Sequence, residues 1–125
     1  MAKKRAPISK WLPDVEEHNY PAAESYLSLI YPEDNAREMV AKLRAASIAT
    51  FKAKDIFRAS RLSLLGISNS HVEKDRQKIE AGTRLSPILL VREQRNGTLI
   101  VADGYHRLCA IYSFDEDEWI PCKIV

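Results

Sequence analysis

Apolar residues recur at helical spacing in the first third of the chain and gather into short continuous runs in the last third. From Trp11 to Ser47 the pattern predicts helices, with Pro21 and Pro32 each at a first helical position, where proline's missing N–H costs nothing. In Glu33 to Ala46, residues Ala36, Met39, Val40 and Leu43 line one face, acids lead, and Lys42 and Arg44 close the last turn. Between the prolines, Ala23, Tyr26, Leu27 and Ile30 make a second, shorter face. Ile48 to Ala53, rich in β-branched and aromatic character, predicts a strand. Lys54 to Leu65 stays open between one helical turn at Asp55-Ile56-Phe57 and a connecting loop that carries Arg58 and Arg61.

Beyond it, Ser70-His71-Val72-Glu73 fits a capping box, in which the serine oxygen and the glutamate carboxylate serve each other's orphan N–H groups. Gly82 supplies the stop, so a helix runs from about His71 to Ala81. Its apolar face, Val72, Ile79 and Ala81, is thin, and the helix is expected to be largely exposed. Pro87 opens Ile88-Leu89-Leu90-Val91, Asn96-Gly97 suits a type I′ turn, and Thr98 to Ala102 returns as the second arm of a hairpin. A turn at Asp103-Gly104 then feeds a helix through about Phe114, an acidic link from Asp115 to Glu118, and a strand from Trp119 to Val125.

The length of 125 residues suits one domain that buries roughly two-thirds of its unfolded surface without a disulfide or metal staple. With 46% hydrophobic and 29% charged residues, neither a disordered chain nor a membrane span is expected. No charged leader followed by an apolar stretch opens the chain, which points to the cytoplasm. Cys109 and Cys122 lack the short spacing of zinc or redox motifs and read as reduced core thiols. A net charge of +2 is too mild to argue for nucleic acid on its own. The local excess, Lys3-Lys4-Arg5 with Lys10 beyond, is either a solvated terminus or a phosphate-contacting arm.

The densest chemistry lies in Leu99 to Ala110, an apolar strand, a glycine turn and a helix start. Unpaired N–H groups at a helix start, with the macrodipole behind them, favour an anion. His106 and Arg107 stand at that spot, where positive charge is disfavoured unless something anionic compensates. A phosphate or carboxylate ligand would do so, as would Asp103 or the acidic link of the chain itself. Asp103 is either a helix cap or a functional carboxylate, and Tyr105 either stacks on a base or covers the core. Arg58 and Arg61 are candidates for a bidentate phosphate clamp. His18, His71 and His106 are too scattered in sequence to argue a metal site.

Three segments carry a resemblance to a known superfamily: Ile79-Glu80-Ala81-Gly82 with Pro87 to Val91; Asp103-Gly104-Tyr105-His106-Arg107-Leu108; and Ile120-Pro121-Cys122-Lys123-Ile124-Val125. Over roughly 70 residues the chain resembles the ParB/sulfiredoxin-like fold superfamily. The resemblance implies an α+β fold, a small mixed sheet with flanking helices in residues 48–125; residues 1–47 lie outside it and read, from their own pattern, as a basic tail and helical extension packed on that core. It also implies a nucleotide or related phosphate compound at Asp103 to Arg107, accompanied by Mg2+ where the ligand is a nucleoside triphosphate. The nearest motif is the Asp-Gly-His-His-Arg of the free-serine kinase branch, from which Tyr105 departs. By that resemblance Gly104 lets the backbone approach the phosphate, His106 and Arg107 neutralise it, and Asp103 orients a metal or hydroxyl. The stretch Leu62-Ser63-Leu64-Leu65-Gly66 lacks the carboxylate that the kinase branch has there, which leaves hydrolysis or phosphotransfer as a secondary expectation. Tyr105 fills the slot of the sulfiredoxin cysteine, and a phenol does not replace a thiolate. The chain stops at Val125, before any helix-turn-helix of the chromosome-partitioning branch.

Two rival functions are open at this stage. One is a non-catalytic interaction module whose Trp11, Tyr20, Tyr26 and Tyr31 meet a protein partner. The other is nuclease action or nonspecific nucleic-acid binding through the basic N-terminus, with affinity that falls steeply with salt.

Overall fold

The computed structural model describes residues 8–66 and 69–125. Its elements, in chain order, are β1 (Lys10–Trp11), α1 (Asn19–Leu27), α2 (Glu33–Ala45), β2 (Ala49–Lys52), α3 (Ala53–Ser60), α4 (Ser70–Glu80), β3 (Arg84–Leu85), β4 (Ile88–Glu93), β5 (Thr98–Asp103), α5 (Tyr105–Phe114) and β6 (Trp119–Ile124). The α+β class therefore stands. No helix of the described residues is long and apolar enough to cross a membrane, and the basic run Lys3-Lys4-Arg5 lies outside them.

Ile88-Leu89-Leu90-Val91 is apolar without alternation because both of its faces are covered. β4 lies inside a four-stranded mixed sheet of order β2-β6-β4-β5, parallel to β6 and antiparallel to β5. On one face Ile88, Leu90, Val101, Ile120 and Cys122 pack with α3, α4 and α5; on the other, Leu89, Val91 and Ala102 pack with α1 and α2. Residues 19–45 thus form one of two helical layers. Leu27, Leu43 and Leu89 are fully buried between that layer and the sheet, and each such side chain contributes ~1.5–3 kcal/mol relative to exposure.

Local chemistry accounts for the boundaries. In α2, Glu33 and Asp34 occupy the first turn and Lys42 and Arg44 the last, complementing the macrodipole. Its buried residues, Ala36, Val40 and Leu43, are three of the four anticipated from periodicity, and Met39 is half-buried. Pro32 is the N-cap rather than the first helical residue, and Pro21 is third in α1. A proline in the first turn is tolerated because those N–H groups have no intrahelical partner. α1 buries Tyr20, Ala23 and Leu27 and leaves Tyr26 exposed, and Ile30 lies exposed beyond its end, which shifts its apolar face toward its start.

Four further details differ from the sequence expectations. Trp11 pairs with Leu85 in a short parallel ladder, β1 with β3, instead of lying in a helix. Residues 53–60 form a whole helix, which places Arg58 in its last turn; Arg61 is its C-cap at φ 57°. The cap of α4 is Asn69, whose side-chain oxygen accepts from the N–H of His71 (3.0 Å) and Val72 (3.2 Å), one residue ahead of the anticipated serine. The hairpin turns through Gln94 to Gly97, with Glu93 opposite Thr98, and only Gly97 has positive φ, so Asn96-Gly97 is not a type I′ pair.

A buried lysine ties the α1/α2 layer to the sheet. Lys123 is 4% exposed, and its ammonium meets the Tyr20 hydroxyl (3.1 Å), the Arg44 carbonyl (2.9 Å) and the Asp14 carboxylate (3.2 Å). Its three N–H donors each have an acceptor. Burial pulls its pKa down, and the bonds to Tyr20 and Asp14 more than offset that, leaving it above the ordinary value.

Candidate functional site

The register between β4 and β5 slips next to the candidate turn. Leu89 faces Asp103 and Leu90 faces Val101, so a bulge falls at Ala102. Bulges re-aim side chains at strand ends, and here Asp103 follows directly. Gly104 then adopts φ 104° as N-cap of α5. Glycine is required twice over: the φ is hostile to L side chains, and a Cβ would stand 2.8 Å from Nη2 of Arg107 and 2.9 Å from Cγ1 of Ile88.

Arg107 folds back over this turn. Its Nη2 donates to Oδ2 of Asp103 at 3.0 Å, and the two side chains are only 16% and 19% exposed. The chain itself therefore supplies one charge that offsets the guanidinium. Burial pushes the Asp103 carboxyl above its ordinary value, against the pull of Arg107 and of His18. Nε of Arg107 is buried without a hydrogen-bond partner among the described residues, so the ion pair leaves part of the guanidinium unsatisfied.

The start of α5 is otherwise uncapped: among the described residues no side chain accepts from its first N–H groups, and its first turn holds no acid. The first turns of α2, α3 and α4 each hold one or more carboxylates, whereas that of α1, like that of α5, holds none. The half-buried His106 lies in that turn, and its ring centre is 4.9 Å from that of His71, exposed in the first turn of α4. Neither imidazole has a hydrogen-bond partner among the described residues. His71 is the residue that sequence reasoning missed. Spacing could not reveal it, although the capping pattern around Ser70 located it in a first helical turn.

Tyr105 packs against the core formed by α3, α4, α5 and the sheet, and its hydroxyl donates to the Ser63 carbonyl. Burial, and then Cys109, raise its pKa. Its packing leaves the ring beside His106, with centres 5.8 Å apart. Arg58 and Arg61 are exposed, and no hydrogen bond or ion pair joins either to residues 103–107 among the described residues. Cys109 and Cys122 are free and fully buried. Burial raises both thiols, Cys122 to about 12, so neither is poised as a thiolate. No group of three or more metal-ligating side chains occurs among the described residues.

A separate groove of about 390 Å³ lies at the opposite end of β4. Phe51, Ile56, Leu90, Leu99 and Ile124 form its apolar floor, away from the charged residues of the turn. Of the four aromatic residues considered for a protein partner, Trp11 packs on the core and Tyr20 is 3% exposed. Tyr31 donates to Glu93 at 2.6 Å, which leaves Tyr26 as the exposed one. Three of the four are thus packed on or within the core.

Comparison of the chain with models of protein families finds no match. Comparisons with curated proteins and with solved structures likewise find none.

Proposed function

We propose that this chain is a ParB/sulfiredoxin-like domain that binds a phosphate-bearing small molecule, a nucleotide in the first instance, at the entrance to α5. One observation carries the proposal: a helix start with no side-chain cap and no first-turn acid holds Arg107, whose Nε is buried and unpaired, next to His106. Backbone N–H groups, macrodipole and guanidinium then point toward the same negative charge. Arg107 and Ile88 cover Gly104, so a phosphate oxygen reaches the helix start as the guanidinium swings aside, and His106 lends a further donor. Mg2+ would arrive with the nucleotide, held mainly by phosphate and water.

Asp103 acts in this reading as an internal competitor. Its carboxylate holds Nη2 of Arg107, so an incoming phosphate must share the guanidinium or displace it. Binding is the primary claim. Hydrolysis or transfer needs a base beyond a carboxylate already engaged with arginine. The two raised, buried thiols fit a reducing compartment such as the cytoplasm.

Calorimetric titration with ATP, ADP and inorganic phosphate, with and without Mg2+, tests the proposal. Saturable binding is expected, tighter in Asp103→Asn, which releases the guanidinium, and weaker in His106→Ala. Absence of binding at millimolar ligand, together with unmoved amide resonances for residues 104–107, would overturn it.

A further inference from the structure

From the pairing of His71 with His106, we infer a site for a borderline divalent transition ion, of the zinc, nickel or copper class, between α4 and α5. The inference does not rest on phosphate binding. Both imidazoles project from first turns of helices that pack on the same core, so the fold holds their attachment points together. All four ring nitrogens lack protein partners among the described residues, and the rings tilt by 40° at a centre separation of 4.9 Å.

That separation suits coordination. An ion bound at ~2.0–2.1 Å from an imidazole nitrogen sits about 3.2 Å from the ring centre. Two centres 4.9 Å apart then subtend about 100° at a shared ion, between a right angle and the tetrahedral value. Coordination then requires only that the rings turn so that one nitrogen of each faces that point, and the solvent-facing position of His71 leaves its ring room to do so. Imidazole is a preferred donor for zinc, nickel and copper and a poor one for magnesium or calcium.

The positive ends of two helix dipoles oppose a cation here. Against this, the charge of Arg107 is already offset by Asp103 at 3.0 Å, and exposed helix dipoles are weak compared with two coordinate bonds. Because the described residues hold no third ligand, the remaining positions go to water or to an oxygen of a bound molecule. The site is therefore open, of a kind that can exchange or activate what it holds.

Zn2+ titration by calorimetry, in phosphate-free buffer on the untagged 125-residue chain, is the test. One-to-one binding is expected, weakened roughly tenfold or more by His71→Ala and by His106→Ala. Imidazole 15N resonances of the unmodified protein give a second readout that requires no variant: Zn2+ should move the rings of residues 71 and 106 and leave that of His18 in place. No saturation below millimolar Zn2+, or undiminished affinity in the His71→Ala/His106→Ala double variant, would overturn the inference. Neither result depends on whether phosphate binds.

Discussion

Replacing Gly104 by alanine isolates the geometry on which the candidate site is built. The substitution meets two separate penalties. A residue with a Cβ at φ 104° incurs ~1–2 kcal/mol of backbone strain. The new methyl would also lie 2.9 and 3.1 Å from Cγ1 and Cγ2 of Ile88. Ile88 is fully buried on the central strand and has little room to retreat, so overpacking adds ~1–3 kcal/mol. The third contact, Nη2 of Arg107 at 2.8 Å, is the end of a flexible side chain and yields by letting go of Asp103.

Together these give a loss of ~2–5 kcal/mol, a large share of the ~5–15 kcal/mol typical of a domain. Thermal melts followed by circular dichroism should then show a midpoint lower by ~10–20 °C. In an Arg107→Ala background the same change should cost less, because only the Ile88 overlap and the strained φ remain, and a double-mutant cycle reads that difference. A midpoint lowered by less than ~4 °C, or a cycle with no coupling, would show that the turn is not packed as described.

Two further outcomes follow from the α1/α2 layer. Lys123→Met should destabilise by ~1–3 kcal/mol in urea unfolding, because the Tyr20 hydroxyl and the Arg44 carbonyl lose a buried donor; a neutral result would mean that the lysine is replaceable by volume alone. Tyr31, its hydroxyl bonded to Glu93, is pushed up to about 12 by burial and by that carboxylate. Its raised folded-state pKa means that its stabilising contribution is complete below its ordinary value near 10 and is lost as pH rises through about 12. The stability difference between the parent and Tyr31→Phe should shrink over that interval, and tyrosinate absorbance should show one late titration missing from the variant.

Much of the fold was legible because its cues are local. Four apolar positions at helical spacing marked α2, and the run from Ile88 to Val91 marked a strand, whose cover on both faces the structure supplies. The pairing of β1 with β3 was not legible, since two-residue strands carry no periodicity. α3 was half-seen because its eight residues bury only Ala53, Ile56 and Ser60, and its last residue is followed by a non-glycine in the left-handed region. At the candidate site, local sequence predicted the turn and the clustering of His106 with Arg107. It left open what balances the cationic charge, and in the structure Asp103 does so from the strand side of Gly104. His71 came into view only when α4 and α5 were packed together.

The placement of β6 has a consequence for how the molecule is made. This strand, the last in the sequence, is inserted between β2 and β4. On a ribosome, Ala49–Lys52 has no neighbour to bond until residues 119–122 emerge, and the hairpin waits beside an open flank. Such long-range closure is slow. Assembly of the sheet is thereby deferred until residues 119–124 have emerged, and a nascent chain arrested short of Trp119 would present the inner edges of both halves to its surroundings.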